Sequence, residues 1–246
     1  MNDTLKTRIS INKKIVNGKT TDEFVSFAKP AFSAALDMLI PVDVKLPVLS
    51  IDRENEMLQK IGFGFYDIQQ AFIERLRKSY DQNYLRIFES YLAALDKNIK
   101  AGVAVSFFGV NGSGKTNGMA TMAREIIRRR FNPELGVDGR VDLSMLFTPC
   151  YRMIEDYLEN NLGSDNVYAV VKLLMIDDVD RDYTGHRRAA FQSIIGERSR
   201  QAGKPFFITT ALTNNEFAVQ FPHAFSRMKT GIILQTQNAD LRSLRK

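Results

Sequence analysis

The chain has 246 residues, 44% hydrophobic and 25% charged, a globular composition with enough length for one large core. One cysteine and two histidines exclude an internal disulfide and a Cys/His metal cluster, and that usage fits a reducing compartment. With 34 Lys and Arg against 28 Asp and Glu, the net +6 favours anionic partners, nucleic acid before membrane.

The first fourteen residues are polar and carry no apolar run of the kind a secretion signal needs. The most hydrophobic early stretch, residues 24–48, is cut by Lys29, Pro30, Asp37, Pro41 and Asp43, so no membrane span is expected and a cytoplasmic protein is. Residues 1–60 are mixed in pattern, and Pro30, Pro41 and Pro47 bar a long helix. They read as a short N-terminal extension, an arm for the main domain or a partner, while residues 61–246 hold that domain. From Asp67 the spacing becomes helical. Ile68, Ala71, Phe72 and Leu76 mark one helix, and Tyr84, Phe88, Tyr91, Leu92, Leu95 and Ile99 mark another. They lead into Val103 to Phe108, a short apolar run that predicts a buried strand.

Directly after that strand, Gly109-Val-Asn-Gly-Ser-Gly-Lys115-Thr116 matches G-x-x-x-x-G-K-[ST], and a helical pattern follows. A loop with glycines at 109, 112 and 114 can wrap tightly and aim successive N–H groups at phosphate oxygens. Gly109, Asn111, Gly112, Ser113, Gly114, Lys115, Thr116 and Asn117 are therefore the expected nucleotide cradle. Lys115 is assigned to the β and γ phosphates and Thr116 to Mg²⁺.

Further apolar runs occur at 143–147, 173–176, 206–210 and 232–234, with helical patterns between most of them. This alternation predicts right-handed crossovers and a mostly parallel sheet covered on both faces. The run Leu173-Leu-Met-Ile ends in Asp177-Asp178, placing carboxylates at the carboxyl end of a core strand, where open α/β sheets bind ligands. Asp177 is expected to hold Mg²⁺ beside Thr116, and Asp178 to orient or deprotonate the attacking water. Positive charge clusters at 181–204, at 227–246 and at Arg124, Arg128, Arg129 and Arg130, and backbone phosphates are a natural counter-charge for such patches.

The phosphate loop, the Leu173 to Asp180 run, Ile194 to Arg198, Gly203 to Thr210 and Ala224 to Met228 together resemble the ordered blocks of the DnaC/IstB-like AAA+ ATPases. That group includes helicase loaders and transposition helpers. The resemblance spans about residues 60–246. It implies an α/β, three-layer P-loop AAA+ core with a mostly parallel five-stranded sheet and a minimal C-terminal lid. It implies Thr210 as the polar sensor, with Thr209 as the fallback, Arg227 as an arginine finger reaching a neighbour's ATP, and Arg242 as a second sensor in cis. It also puts DNA contacts between the phosphate-loop helix and the acidic strand, where Tyr151 and Arg152 stand; Arg187 and Arg188 are further DNA candidates.

The function expected from these features is an ATP-dependent, Mg²⁺-dependent ATPase of DNA replication. It would assemble as a homo-oligomer on DNA, single-stranded DNA favoured, and help load a replicative helicase. The alternative is a transposition helper that assembles on duplex DNA and recruits a transposase. A small-molecule kinase and a nucleotide-gated adaptor with little turnover are the rivals from other classes.

Overall fold

The computed structural model describes residues 8–16, 19–28, 44–45, 49–132, 140–159, 167–179 and 183–236. The chain divides into a small unit, residues 1–50 and 131–140, and a large one, residues 51–130 and 141–246. In the small unit, β1 (Arg8–Val16) pairs antiparallel with β2 (Lys19–Ala28), which pairs antiparallel with β3 (Val44–Lys45). The boundary expected after residue 60 thus falls before Ile51, because the helix that starts there packs in the large unit.

Five parallel strands form the sheet of the large unit: β4 (Val105–Phe108), β5 (Met145–Pro149), β6 (Leu173–Asp177), β7 (Phe206–Thr210) and β8 (Ile232–Gln235), in the order β8-β4-β7-β6-β5. The sequence places each of these within two residues at either end. β4 and β7 are buried along their whole length, as strands covered on both faces must be. Helices α1 (Ile51–Ile61), α2 (Phe65–Gln70), α3 (Ile73–Ser79), α4 (Gln82–Ala93), α5 (Leu95–Ala101) and α6 (Lys115–Arg130) precede or follow β4. Beyond β5 come α7 (Cys150–Glu159), α8 (Val167–Val170), α9 (Gly185–Ser199), α10 (Asn214–Gln220) and α11 (Pro222–Met228).

Strand alternation sorts the helices into two layers. Leu174 and Ile176 of β6 and Phe206 and Ile208 of β7 face one core, which also holds Met153 and Ile154 of α7, Phe191 and Ile195 of α9, Phe217 of α10 and Met228 of α11. On the other face Phe207 meets Tyr91 of α4 edge-on at 5.6 Å, and Phe107 lies against Gly118 of α6. The result is the three-layer α/β core that the motif order implies.

One feature of the first layer departs from the sequence pattern. The single helix expected from Ile68 to Leu76 is two, broken at Ala71 and Phe72, and Arg124 of α6 packs into the break. That side chain is fully buried. Its guanidinium meets Glu54 Oε2 at 2.6 Å and Asn55 Oδ1 at 2.7 Å, donates to the Ile68 carbonyl at 2.9 Å, and lies 4.3 Å over the Phe72 ring. The Ile68 carbonyl accepts from Arg124 and from the Ala71 N–H that closes α2, at the point where the chain turns. Arg128 joins the same carboxylate at 2.6 Å, and Arg130 pairs with Asp96 and Asp142.

These contacts correct the reading of 124–130 as a nucleic-acid patch: apart from Arg129, its arginines hold the fold. The basic cluster at 181–204 shrinks in the same way. Arg198 is fully buried and donates to the carbonyls of Tyr168, Val171, Lys172 and Pro205 at 2.6 to 3.1 Å. Burial lowers its pKa to about 10, which still leaves it charged at neutral pH.

Removing Glu54 would strand Arg124 as a buried, half-compensated charge. Glu54→Ala should lower the unfolding free energy by about 3–5 kcal/mol, read from the urea midpoint. Breaking the solvent-exposed Arg53–Glu56 pair by Glu56→Ala should cost less than about 1 kcal/mol.

Candidate nucleotide-binding site

Gly109 to Thr116 form a loop between the carboxyl end of β4 and α6, as the motif requires. Gly109 has no substitute: with φ +154°, an added Cβ would sit 1.8 Å from Thr236 Oγ1. Thr236, just past β8, donates its hydroxyl proton to the Phe108 carbonyl at 3.0 Å and lies 2.6 Å from Ser113 Oγ. Its one proton being used, Thr236 accepts from Ser113. From the other side Tyr80 donates to the Ser113 carbonyl at 2.9 Å. The loop is therefore clamped by the segment before α4 and the segment after β8. Neither Tyr80 nor Thr236 carries a sequence signal for this role, since both are single polar groups far from the motif.

Lys115 is buried, and its ammonium donates to the carbonyls of Gly109 at 2.8 Å and Val110 at 2.9 Å. The loop thus closes on its own lysine, and phosphate oxygens must take over as acceptors for the ammonium to serve a nucleotide. Thr116 donates to Asp177, with its hydroxyl 2.9 and 3.1 Å from the two carboxylate oxygens. The structure brings the expected Mg²⁺ pair together across the cleft between α6 and β6. Two hard oxygen ligands, a hydroxyl and a carboxylate, suit Mg²⁺, which keeps most of its shell for phosphate and water. Among the described residues no group of three or more His, Cys, Asp or Glu is placed to hold a metal, so the donor set is of this sparse kind.

Burial, and then the charge of Asp178, push the Asp177 carboxyl up to about 6 against the opposing pull of Thr209 and Thr116. Asp178 is exposed and holds φ +54°, a left-handed conformation that turns the chain outward at the strand end. Its N–H is fixed by Thr209 Oγ1 at 2.9 Å.

Thr209 also donates to Asp177 Oδ1 at 2.6 Å, so the residue expected as the fallback sensor, and not Thr210, stands beside the acidic strand end. Thr210 is fully buried; its hydroxyl donates to the Val179 carbonyl at 2.6 Å and accepts from the Leu212 N–H at 3.1 Å, on the face away from the phosphate loop. Register explains the difference. Phe207 pairs with Met175, so two residues on, Thr209 shares a face with Asp177 while Thr210 takes the opposite one.

Arg227 lies exposed on α11, at a groove shared with Arg200 and His223. Tyr151 and Arg152 are exposed in the first turn of α7, and Arg187 and Arg188 are exposed in the first turn of α9. Arg187 meets Glu155 of α7 at 3.6 Å, which sets the two helix starts side by side. Arg242, Arg181 and the basic tail after Thr236 lie outside the described residues.

No helix among the described residues is long and apolar enough to cross a membrane. The sequence matches no protein-family model. Nor does it match any curated protein. Solved structures share the fold. The DnaC helicase loader aligns over 62% of this chain and 88% of its own, with TM-score 0.51 and 16% identity. A Streptococcus pyogenes serotype M3 protein described as a primosome component aligns over 73% and 92%, with TM-score 0.52 and 16% identity. AMPPCP-bound DnaA from Aquifex aeolicus aligns over 68% of this chain but only 50% of its own, with TM-score 0.50 and 15% identity. The three-layer α/β core with a five-stranded parallel sheet that the motifs imply is the fold shared with these structures.

Two tests follow from the geometry. With its carboxyl raised, Asp177 keeps a proton in the fold up to about pH 6 that the unfolded chain releases near pH 4, so the metal-free protein loses stability as pH rises through that window. Asp177→Asn should then stabilise the metal-free protein at pH 7.5 by on the order of 1–3 kcal/mol. The gain should vanish on acidification to about pH 4, as melting across a pH series will show. Thr210→Val should lower the melting temperature with nucleotide binding unchanged, since it strands the buried Leu212 N–H at a cost of about 1–3 kcal/mol. Thr209→Val, which frees the Asp178 N–H and an Asp177 oxygen beside the phosphate loop, should cost a similar amount and weaken nucleotide binding as well.

Proposed function

We propose that the chain is an ATPase of the helicase-loader kind, acting in DNA replication by assembling on DNA when it holds ATP and Mg²⁺. The observation that carries the nucleotide part is the closure of Thr116 onto Asp177 beside a glycine loop whose lysine is poised on exchangeable carbonyl acceptors. In this reading the loop N–H groups and Lys115 bind the triphosphate. Thr116 and Asp177 hold Mg²⁺, which neutralises charge on the β and γ phosphates. Asp178, exposed and fixed through its own N–H, orients the attacking water. Thr209 acts one step back, as a positioning residue for both aspartates.

Arg227 makes no contact with this chain's own phosphate loop in the described structure and is open to solvent, which suits a finger presented to a neighbouring copy. Arg242 is proposed as the cis sensor from its motif alone. The likeness of fold to a helicase loader and to a primosome component favours replication over small-molecule phosphorylation. For DNA, single strands favoured, the exposed quartet Tyr151, Arg152, Arg187 and Arg188 is the proposed contact, combining a stacking ring with phosphate-pairing guanidiniums.

The deciding measurement is which macromolecule stimulates ATP turnover. Stimulation by single-stranded DNA and a hexameric helicase is expected; stimulation by duplex DNA alone, with filament growth, would assign the transposition-helper role instead. Lys115→Ala should abolish nucleotide binding. Arg227→Ala should bind ATP normally yet lose about 10³-fold in turnover within the assembly. Normal turnover by assembled Arg227→Ala would refute the finger.

A further inference from the structure

A polar groove runs between α9 and α11, away from the phosphate loop. Gln192, Ser193, Arg200, His223, Ser226 and Arg227 line it, and no carboxylate does. Its walls are held apart by packing. Phe191 of α9 meets Phe221 at the start of α11 with centroids 5.1 Å apart, and Ala190, Ile194, Ala224 and Met228 are buried in the same core. Across the rim the His223 N–H donates to Gln192 Oε1 at 3.0 Å. The site is thus formed before any ligand arrives, which lowers the ordering cost of binding.

Its two arginines are not committed to the fold. Arg124, Arg128, Arg130 and Arg198 are committed to carboxylates or carbonyls. Arg200 and Arg227 have no side-chain hydrogen bond or ion pair among the described residues, and both are exposed. Two guanidiniums lining one polar cleft give it a positive charge that an anion would complete. Guanidinium forks match phosphate oxygens, and the Ser226 hydroxyl adds a further donor, while the Ser193 hydroxyl lies 3.2 Å from that of Tyr157. A polyphosphate suits such a groove better than a single carboxylate, because it can engage both arginines at once.

We infer that this groove is a two-arginine receptor for the phosphate end of a nucleotide held by a second copy of this chain, with Arg200 as a trans-acting arginine alongside Arg227. The inference rests on the ATPase reading above and extends it to Arg200, a residue that no motif marks. The groove shares no lining residue with the phosphate loop, Asp177 or Asp178, which favours a nucleotide held by a second copy over one held by this chain. DNA offers the same phosphate chemistry, and the experiment separates the two sources.

Mixing tests the assignment. Arg200→Ala supplies a working pocket and a defective groove; Lys115→Ala supplies the converse. Arg200→Ala should bind fluorescent ATP with the affinity of the unaltered chain but turn it over at least about tenfold more slowly in the assembly. An equal mixture of the two variants should recover about a quarter of the normal rate, because in a head-to-tail assembly each pocket faces one neighbour's groove. Recovery with Arg227→Ala but not with Arg200→Ala would overturn the role of Arg200 and leave the ATPase reading intact. If Arg200→Ala instead loses single-stranded DNA binding while turnover is unchanged, the groove takes DNA phosphate and the inference fails. Failure of the unaltered chain to bind ATP would sink both.

Discussion

A charge buried inside the phosphate-loop helix organises the first layer of the molecule. Arg124 has no solvent, so its two terminal nitrogens are answered by protein, by the carboxylate of Glu54, the Asn55 amide and the Ile68 carbonyl, with the Phe72 ring beneath the guanidinium plane, while its buried Nε has no hydrogen-bond partner among the described residues. An ion pair in that setting adds little net stability over a well-packed apolar equivalent. It does impose geometry. α1, α2 and the break before α3 are all positioned against α6, the helix whose first residues are Lys115 and Thr116. The orientation of the phosphate loop is thereby tied to segments well upstream of it in the chain, from Ile51 to Phe72.

The loop itself is set by a second constraint, the shortage of room around Gly109. Thr236 fills the space where a side chain would be and bonds both the last carbonyl of β4 and Ser113, while Tyr80 holds Ser113 from the opposite side. Strand β8 and the helices before β4 therefore meet at the loop. A loop clamped at one residue, with its lysine satisfied internally, has its shape set by the protein's own contacts.

On the acidic side, the period of two along a strand settles which groups can act. Asp177 and Thr209 share a face and are joined at 2.6 Å; Thr210, one residue on, is turned into the opposite core and saturated there. Burial makes Asp177 a poor place for an unpaired charge, and the hydroxyls of Thr116 and Thr209 offset part of that cost.

The sequence alone determined the elements with local signatures. The five strands were visible as apolar runs because a parallel sheet covered on both faces needs continuous hydrophobicity, and the loop, Lys115, Thr116, Asp177 and Asp178 were visible because phosphate and Mg²⁺ chemistry confine residue types within short windows. What depends on long-range pairing was not legible. Arg124 and Arg198 read as surface charge until the structure placed them beside groups tens of residues away, and the choice between Thr209 and Thr210 needed the β6–β7 register. Tyr80, Thr236 and the Arg200–Arg227 groove likewise exist only once the chain is folded, since each joins residues whose spacing carries no period. A chain encodes local conformation in nearby residues, whereas the partner of a buried charge or a clamped loop is decided by three-dimensional packing.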